Sequence, residues 1–273
     1  MKKVILITGA SSGIGKETAI KLIQEGHVVY GAARRVEQMQ DFVELGGRAL
    51  KLDVSDEQQI VNSVKQIVQE QGGIDVLINN AGYGLYGAVE DVSIKDAKRQ
   101  FEVNLFGLAR MTQEVLPFMR EKRSGKIINI ASMGGKMYTP LGSWYHATKH
   151  ALEGWSDCLR LELKSFNIDV VIIEPGIIAT DFGNIVYKSL LEISGNGAYS
   201  ALANAMAKST MDSYTKKNAA SPPSIVANVI LKAILSNKPA TRYRLGKFAK
   251  LLVWMRIYMG DRIFDKIIMR PIK

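Results

Sequence analysis

The chain has 273 residues, 47% of them hydrophobic and 23% charged, enough to bury one sizeable core as a compact domain. That composition excludes a disordered tail, a collagen-like rod and a small disulfide-stapled scaffold. The net charge is +10, but nine Lys or Arg against two Asp between Arg242 and Lys273 place +7 of it in the last stretch, and a nearly neutral body argues against a nucleic-acid-binding protein.

Met1-Lys2-Lys3 ahead of an apolar run at 4–7 superficially looks like a signal peptide. The run is short and broken by Thr8 and Gly9, so it reads as a buried first strand, and a cytoplasmic protein is expected. An amphipathic helix follows over 14–24, then a strand over 27–32, a short helix near 36–45 and a strand over 48–52. A helix opens at Asp56, a strand covers 76–78, and a long helix runs from about 94 to 122. A strand over 126–130, a helix over 145–165 and a strand over 169–173 complete the pattern. No stretch reaches the roughly 18 consecutive apolar residues needed to span a bilayer. Strands alternating with helices imply an α/β fold: a single doubly wound Rossmann domain over 1–245, with a parallel sheet of about seven strands and helices on both faces. Residues 183–221, rich in Ser, Ala, Asn, Gly, Met and Lys, have helical propensity and no strand. In such a sheet ligands sit at the carboxyl ends of the strands, so this insertion is read as a mobile substrate lid; the alternative is a surface excursion unconnected with the substrate.

Cys158 is the single cysteine and cannot form an internal disulfide, and His27, His146 and His150 lack metal-ligand spacing, so neither a disulfide nor a metal is expected. The first strand leads into Thr8-Gly9-Ala10-Ser11-Ser12-Gly13-Ile14-Gly15 and then a helix. Glycines there let the backbone turn sharply and approach a pyrophosphate, while the helix N-terminus directs N–H groups at it. The G-x-x-x-G-x-G spacing resembles the short-chain dehydrogenase/reductase family, and the resemblance runs in order from Val4 to about Leu245. Asp53-Val54 is similar to the family's adenine-contacting pair, and Asn79-Asn80-Ala81-Gly82 to its NNAG motif. Pro175-Gly176 with Thr180 is similar to the segment that closes on the nicotinamide. Asn104, Ser132, Tyr145 and Lys149 match its catalytic tetrad, with the Tyr-x-x-x-Lys spacing and thirteen residues from serine to tyrosine. The resemblance implies that Lys149 also holds the nicotinamide ribose and that Asn104 positions a water in a proton relay. It further implies a homodimer or tetramer paired through the helices at 94–122 and 145–165.

The tyrosine and lysine also carry a chemistry of their own. A phenol pKa near 10 is too high for efficient proton exchange at neutral pH. Lys149 lies one helical turn on, so its ammonium is expected to favour the phenolate and to let Tyr145 act as acid in carbonyl reduction or base in alcohol oxidation. Ser132 would donate to the reacting oxygen as its negative charge grows. His146 and His150 flank the tetrad, but the mechanism leaves them no task.

At the end of the second strand Ala32 holds the place where an NAD-specific enzyme carries an acid, and no acid appears before Glu37. Arg34 and Arg35 offer guanidinium groups to a 2′-phosphate instead, so NADP(H) is the expected cofactor. Met137, Tyr138, Leu141, Trp144, Tyr83, Leu85, Tyr86 and the Met-containing lid are expected to line a lipophilic substrate. The stretch from Trp144 to Phe182 is similar to the branch with steroid and retinol dehydrogenases. The extension over 246–273 interleaves Leu251, Leu252, Trp254, Ile257, Tyr258, Phe264 and Ile267 with basic residues, which fits peripheral contact with an anionic membrane, a cap on the pocket, or a face for another subunit. The expected activity is NADP(H)-dependent hydride transfer between nicotinamide and a lipophilic ketone, aldehyde or secondary alcohol. The alternative is an NADP(H)-binding regulator without turnover; such proteins typically lose the tyrosine or lysine, and this chain has all four tetrad residues.

Overall fold

A computed structural model of the protein describes residues 2–217 and 219–272. Its centre is a seven-stranded sheet in the order β3-β2-β1-β4-β5-β6-β7, every neighbouring pair parallel. The strands are β1 (Val4–Thr8), β2 (Val28–Ala33), β3 (Arg48–Lys51), β4 (Val76–Asn79), β5 (Gly125–Ile130), β6 (Ile168–Pro175) and β7 (Arg242–Leu245). The inner strands are nearly continuous apolar runs because both faces are covered. Along β1 the side chains alternate: Ile5 and Ile7 pack on α1 (Gly13–Gln24) and α9 (Ser224–Leu235) through Leu22, Val226 and Ile230. Leu6 packs on the other face with Ile60 and Ile67 of α3 (Glu57–Gln71) and Met111 and Val115 of α5 (Gly107–Lys122). A short α2 (Gln40–Glu44) follows a 3₁₀ turn over Val36–Met39. Chain order reverses between β1 and β4, which opens a crevice at the carboxyl ends of these strands.

Three details beyond the sequence reading matter for function. The expected helix over 94–122 is α4 (Ile94–Phe101) and α5 joined by a π-helical turn at Glu102–Phe106. A Cβ on Gly107 would lie 2.1 Å from the Val54 carbonyl oxygen, so only glycine lets the helix pass this close to the loop after β3. The residues expected to form a lid are two helices, α7 (Phe182–Ser194) and α8 (Ser200–Thr215), whose Val186, Leu190, Ala203 and Met206 share a core with Tyr86, Leu141 and Tyr145. The seventh strand, β7, lies at the sheet edge, and the extension beyond it forms α10 (Ala249–Tyr258) and α11 (Asp261–Met269). Val253 and Phe264 of these helices are buried against Met137. α6 (Ser143–Glu162) carries the Tyr-x-x-x-Lys pair.

Candidate active site

A cavity of about 700 Å³ occupies the crevice at the carboxyl ends of the strands. One end is lined by Gly9, Ser11, Ser12, Gly13 and Ile14 of the β1–α1 loop, by Arg34 and Arg35 after β2, and by Asp53 and Val54 after β3. Asn80, Ala81 and Gly82 follow β4, then come Ser132, Tyr145 and Lys149, and Pro175, Gly176 and Thr180 close the opposite side. Thr8 Oγ1 accepts from the amides of Asn80 and Ala81, both at 3.1 Å, and Asn80 Nδ2 donates to the carbonyls of Thr8 at 3.0 Å and Gly9 at 3.1 Å. These four bonds clamp the glycine loop to the end of β4. Gly9 and Gly13 take φ of +69° and +56°, the left-handed region that favours glycine. Ser12 makes no side-chain cap, which leaves the first amides of α1 without a side-chain acceptor at the cavity.

Two expected residues are not on the wall. Gly15 lies beneath the loop, where a Cβ would come within 2.4 Å of the Gly9 carbonyl oxygen and 2.5 Å of Asn80 Nδ2, so its role is close packing. Asn104 sits in the π-helical turn; its amide donates to Tyr83 O at 2.9 Å and Thr148 Oγ1 at 3.1 Å, and its Oδ1 accepts from Tyr83 N at 3.0 Å. Both amide protons are committed within the protein, so the side chain fixes Tyr83 against α6. At the end of β2 it is Ala33 that lines the cavity, while the side chain of Ala32, on the opposite face by strand alternation, packs with Leu6 and Leu52.

Burial pushes the Tyr145 phenol up to about 12, with the Ser132 hydroxyl working the other way. Burial also drags the Lys149 ammonium down to about 8 against the pull of Glu153, and its Nζ donates to Ile130 O at 2.8 Å. In this geometry desolvation outweighs any depression of the phenol by Lys149, whose ammonium is tied to the end of β5. Ser132 Oγ accepts from the Gly134 amide at 3.0 Å and caps a one-turn 3₁₀ helix, which aims the serine at the cavity. His146 is structural. Its Nε2 accepts from the Thr139 amide at 3.1 Å, which assigns the proton to Nδ1, 2.9 Å from Gly134 O, and burial lowers the ring to about 4.

At the nucleotide end, burial works to raise the Asp53 carboxyl, but hydrogen bonds from Ser55 and the charges of Arg99 and Arg34 prevail and hold it below the usual range. Arg99, 3.0 Å from Asp53, was not singled out by sequence, nor were Met133 and Phe182; Thr139, Ile185 and Tyr214 fall in stretches expected to face the substrate but were not named, and all six are on the wall. Phe182 and Tyr86 stack against Tyr145 with centroids at 5.4 and 5.6 Å. Tyr214 is the one aromatic residue of α8, a signal available in the sequence but without a phase to aim it. Met137, Tyr83 and Tyr86 line the cavity as expected. Leu85, Tyr138, Leu141, Trp144 and the lid methionines do not: Tyr138 turns outward, donating to Asp265 at 2.9 Å, and Leu141 and Met206 belong to the α7–α8 core.

Residues 3–189 match the short chain dehydrogenase family. The chain belongs to that family. This short-chain dehydrogenase/reductase is 38% identical over 251 residues to 3-ketodihydrosphingosine reductase of Bacteroides thetaiotaomicron, covering 92% of this chain and 90% of that one. It is similar in structure to a short-chain dehydrogenase from Streptomyces avermitilis, with a TM-score of 0.79, 30% identity and coverage of 99% and 97% of the two chains. It is also similar to an actinorhodin polyketide ketoreductase with NADPH, with a TM-score of 0.75, 31% identity and coverage of 88% and 94%.

In this dehydrogenase buried charges tie the Tyr-Lys helix to the sheet edge. Glu153, one turn beyond Lys149, is bound by Lys136 at 3.2 Å and Arg242 Nε at 3.1 Å. Arg242 also reaches Asp157 and, at 3.4 Å, Glu174, which Arg244 holds at 2.5 Å. Glu174 directly precedes Pro175-Gly176, so the network joins α6, β7 and the cavity wall. Burial and the neighbouring Glu174 raise the Glu153 carboxyl, its two basic partners opposing them.

Proposed function

We propose that this protein is a cytoplasmic, NADP(H)-dependent carbonyl reductase for a lipophilic ketone or aldehyde, able to run in reverse on the corresponding alcohol. The observation that carries this reading is one cavity with Ser132, Tyr145 and Lys149 on its wall at one end and Arg34 and Arg35, with no carboxylate on β2, at the other. The nucleotide end suits the cofactor: left-handed glycines, α1 amides without a side-chain cap, and two guanidinium groups where a 2′-phosphate would lie. The actinorhodin ketoreductase with NADPH supports the cofactor choice. Apolar and aromatic side chains of Met133, Met137, Tyr86, Phe182, Ile185 and Tyr214 support a lipophilic substrate, as does the name of the Bacteroides relative, a reductase of a ketosphingoid base.

When bound, the reduced nicotinamide supplies hydride to the carbonyl carbon. Ser132 Oγ donates a hydrogen bond to the carbonyl oxygen and strengthens it as negative charge develops there. Tyr145, protonated at neutral pH because its phenol is pushed up, gives its proton to that oxygen. The Lys149 ammonium, held at the end of β5, stabilises the resulting phenolate. α7 and α8 exclude water from Tyr145 through Phe182 and Tyr214. NADP is held largely reduced in growing cells, which favours reduction. Exposed Phe106 and Leu161 lie on the paired-helix side of the molecule and support a homodimer or tetramer.

The test is NADPH and NADH consumption over carbonyls of graded lipophilicity. Arg34→Ala with Arg35→Ala should weaken NADPH binding about 10- to 100-fold and leave NADH unchanged, and Tyr145→Phe should bind NADPH without turnover. Equal use of both cofactors by the native enzyme would refute the cofactor reading. Turnover retained by Tyr145→Phe would refute the mechanism, and binding without turnover on any carbonyl would turn the protein into a nucleotide-binding regulator.

A further inference from the structure

α10 turns to solvent a row of side chains that a surface helix ordinarily hides. At 100° per residue, Lys250, Leu251, Trp254, Ile257 and Tyr258 fall within about 120° of one another. The four large residues are heavily exposed, Leu251 at 50%, Trp254 at 53%, Ile257 at 56% and Tyr258 at 71%. The opposite side carries Ala249 and Val253, both fully buried, so the helix is docked on the domain by one apolar face and displays a second. The Trp254 and Tyr258 rings lie 5.8 Å apart, and Phe248, 45% exposed, extends the surface at the start of the helix under the Lys247 ammonium.

The unpaired charge of this segment is of one sign. Lys247, Lys250, Arg262 and Lys266 are exposed and form no ion pair among the described residues. The two acids of the segment are engaged within the protein: Asp261 pairs with Arg256 at 2.6 Å, and Asp265 accepts from Tyr138. At its N-terminal end Lys247 and Lys250 frame a hollow of about 460 Å³ together with Phe248 and Leu251. The same element backs the active site. Val253 packs on Met137, a cavity-wall residue, and the Lys247 carbonyl lies where a Cβ on Gly176 would meet it at 2.1 Å.

We propose that the outer face of α10 docks on an anionic phospholipid surface. Tryptophan and tyrosine settle at the boundary between headgroups and acyl chains, and lysines beside them are drawn to anionic headgroups. No helix among the described residues is long and apolar enough to cross a membrane, so the contact lies in the plane of the interface. A second copy of the chain is disfavoured on this face, because two surfaces carrying the same cluster of unpaired cations would be brought together. Docking would set the cavity wall one helix diameter, roughly 10 Å, from the lipid, where a lipophilic carbonyl is dissolved; this consequence, unlike the docking itself, rests on the substrate reading proposed above.

Flotation of the full chain, without cofactor or substrate, on phosphatidylcholine vesicles with and without phosphatidylglycerol tests the proposal. The protein should float with the anionic vesicles only, and less at high salt. Lys247→Ala with Lys250→Ala should weaken binding about fivefold per lysine, roughly 25-fold together. Trp254→Ser with Tyr258→Ser should abolish flotation while turnover of a small water-soluble carbonyl is unchanged. Absence of flotation on anionic vesicles, or flotation unaffected by both pairs of substitutions, would overturn it. So would a change of oligomeric state in the aromatic variant without vesicle binding, which would show a second copy on the face. Flotation by a protein that reduces no carbonyl would sustain the docking and refute the proposed reaction.

Discussion

Replacing Lys149 by methionine should destroy the enzyme and stabilise the fold. The buried ammonium titrates at about 8, against 10.5 for a free lysine, with desolvation as the largest cause. A displacement of that size corresponds to about 3 kcal/mol of destabilisation below pH 8, where the native protein must carry the charge in its interior. Methionine removes that cost with little change of volume, but it also removes the charged hydrogen bond to Ile130 O, at 2.8 Å in the native protein, which contributes about 1.5 kcal/mol. The net expectation is a gain of about 1–2 kcal/mol at pH 7, seen as a rise in Tm of several degrees. The gain should fade with pH. Between 8 and 10.5 the unfolded chain holds the lysine proton and the folded chain does not, so native stability climbs with pH and the two proteins converge. Urea unfolding of nucleotide-free protein at pH 7 and pH 10 measures this, since bound NADP(H) would favour the native enzyme alone. A methionine variant less stable than the native protein at pH 7, or a difference independent of pH, would show that burial of Lys149 is compensated by something other than the contacts described.

Gly15→Ala should cost about 2 kcal/mol or more and abolish NADPH binding, because its Cβ falls 2.4 Å from the Gly9 carbonyl oxygen and α1 must shift away from the loop it supports; NADPH fluorescence titration checks this, and unchanged affinity would refute it. Arg242→Met should cost about 3 kcal/mol at pH 8, since Glu153 loses one of two partners and Glu174 one of two. The Glu153 carboxyl, already raised by burial and by Glu174, would rise further without Arg242, so the penalty is present at high pH and shrinks as pH falls through the raised pKa. Urea midpoints across that range decide it, and a loss that does not vary with pH would point to packing alone.

The strand-helix alternation was legible because six strands are dense apolar runs bounded by turn residues, and each lies within two residues of its expected place. β7 escaped because Arg-Tyr-Arg-Leu at a sheet edge carries its arginines inward to buried carboxylates, a pattern that looks like the start of a basic tail. The nucleotide loop and the serine, tyrosine and lysine were legible from local spacing, since each depends on one turn or one helix. Which aromatics face the substrate was not. Tyr138 and Trp144 sit in the same segment as Met137, but only the methionine faces inward, and that is decided by α10 and α11, more than a hundred residues away in sequence. Asn104 was singled out by motif, but its partners, Tyr83 and Thr148, follow from the π-helical turn, which no periodicity announces.

That turn also governs which changes of chain length the protein can accept. Removing one residue from Glu102–Phe106 would restore a regular α-helix between α4 and α5, an apparent improvement in local regularity. The wider turn takes up its extra residue over nearly the angle that one residue fewer covers in an α-helix, so α4 and α5 would keep about their present faces. What would be lost is the bulge that sets Asn104 between the Tyr83 backbone and Thr148 of α6. A deletion that leaves the helix straighter would thus untie the cavity wall at Tyr83 while sparing the Ser93 cap at one end and the close passage at Gly107 at the other.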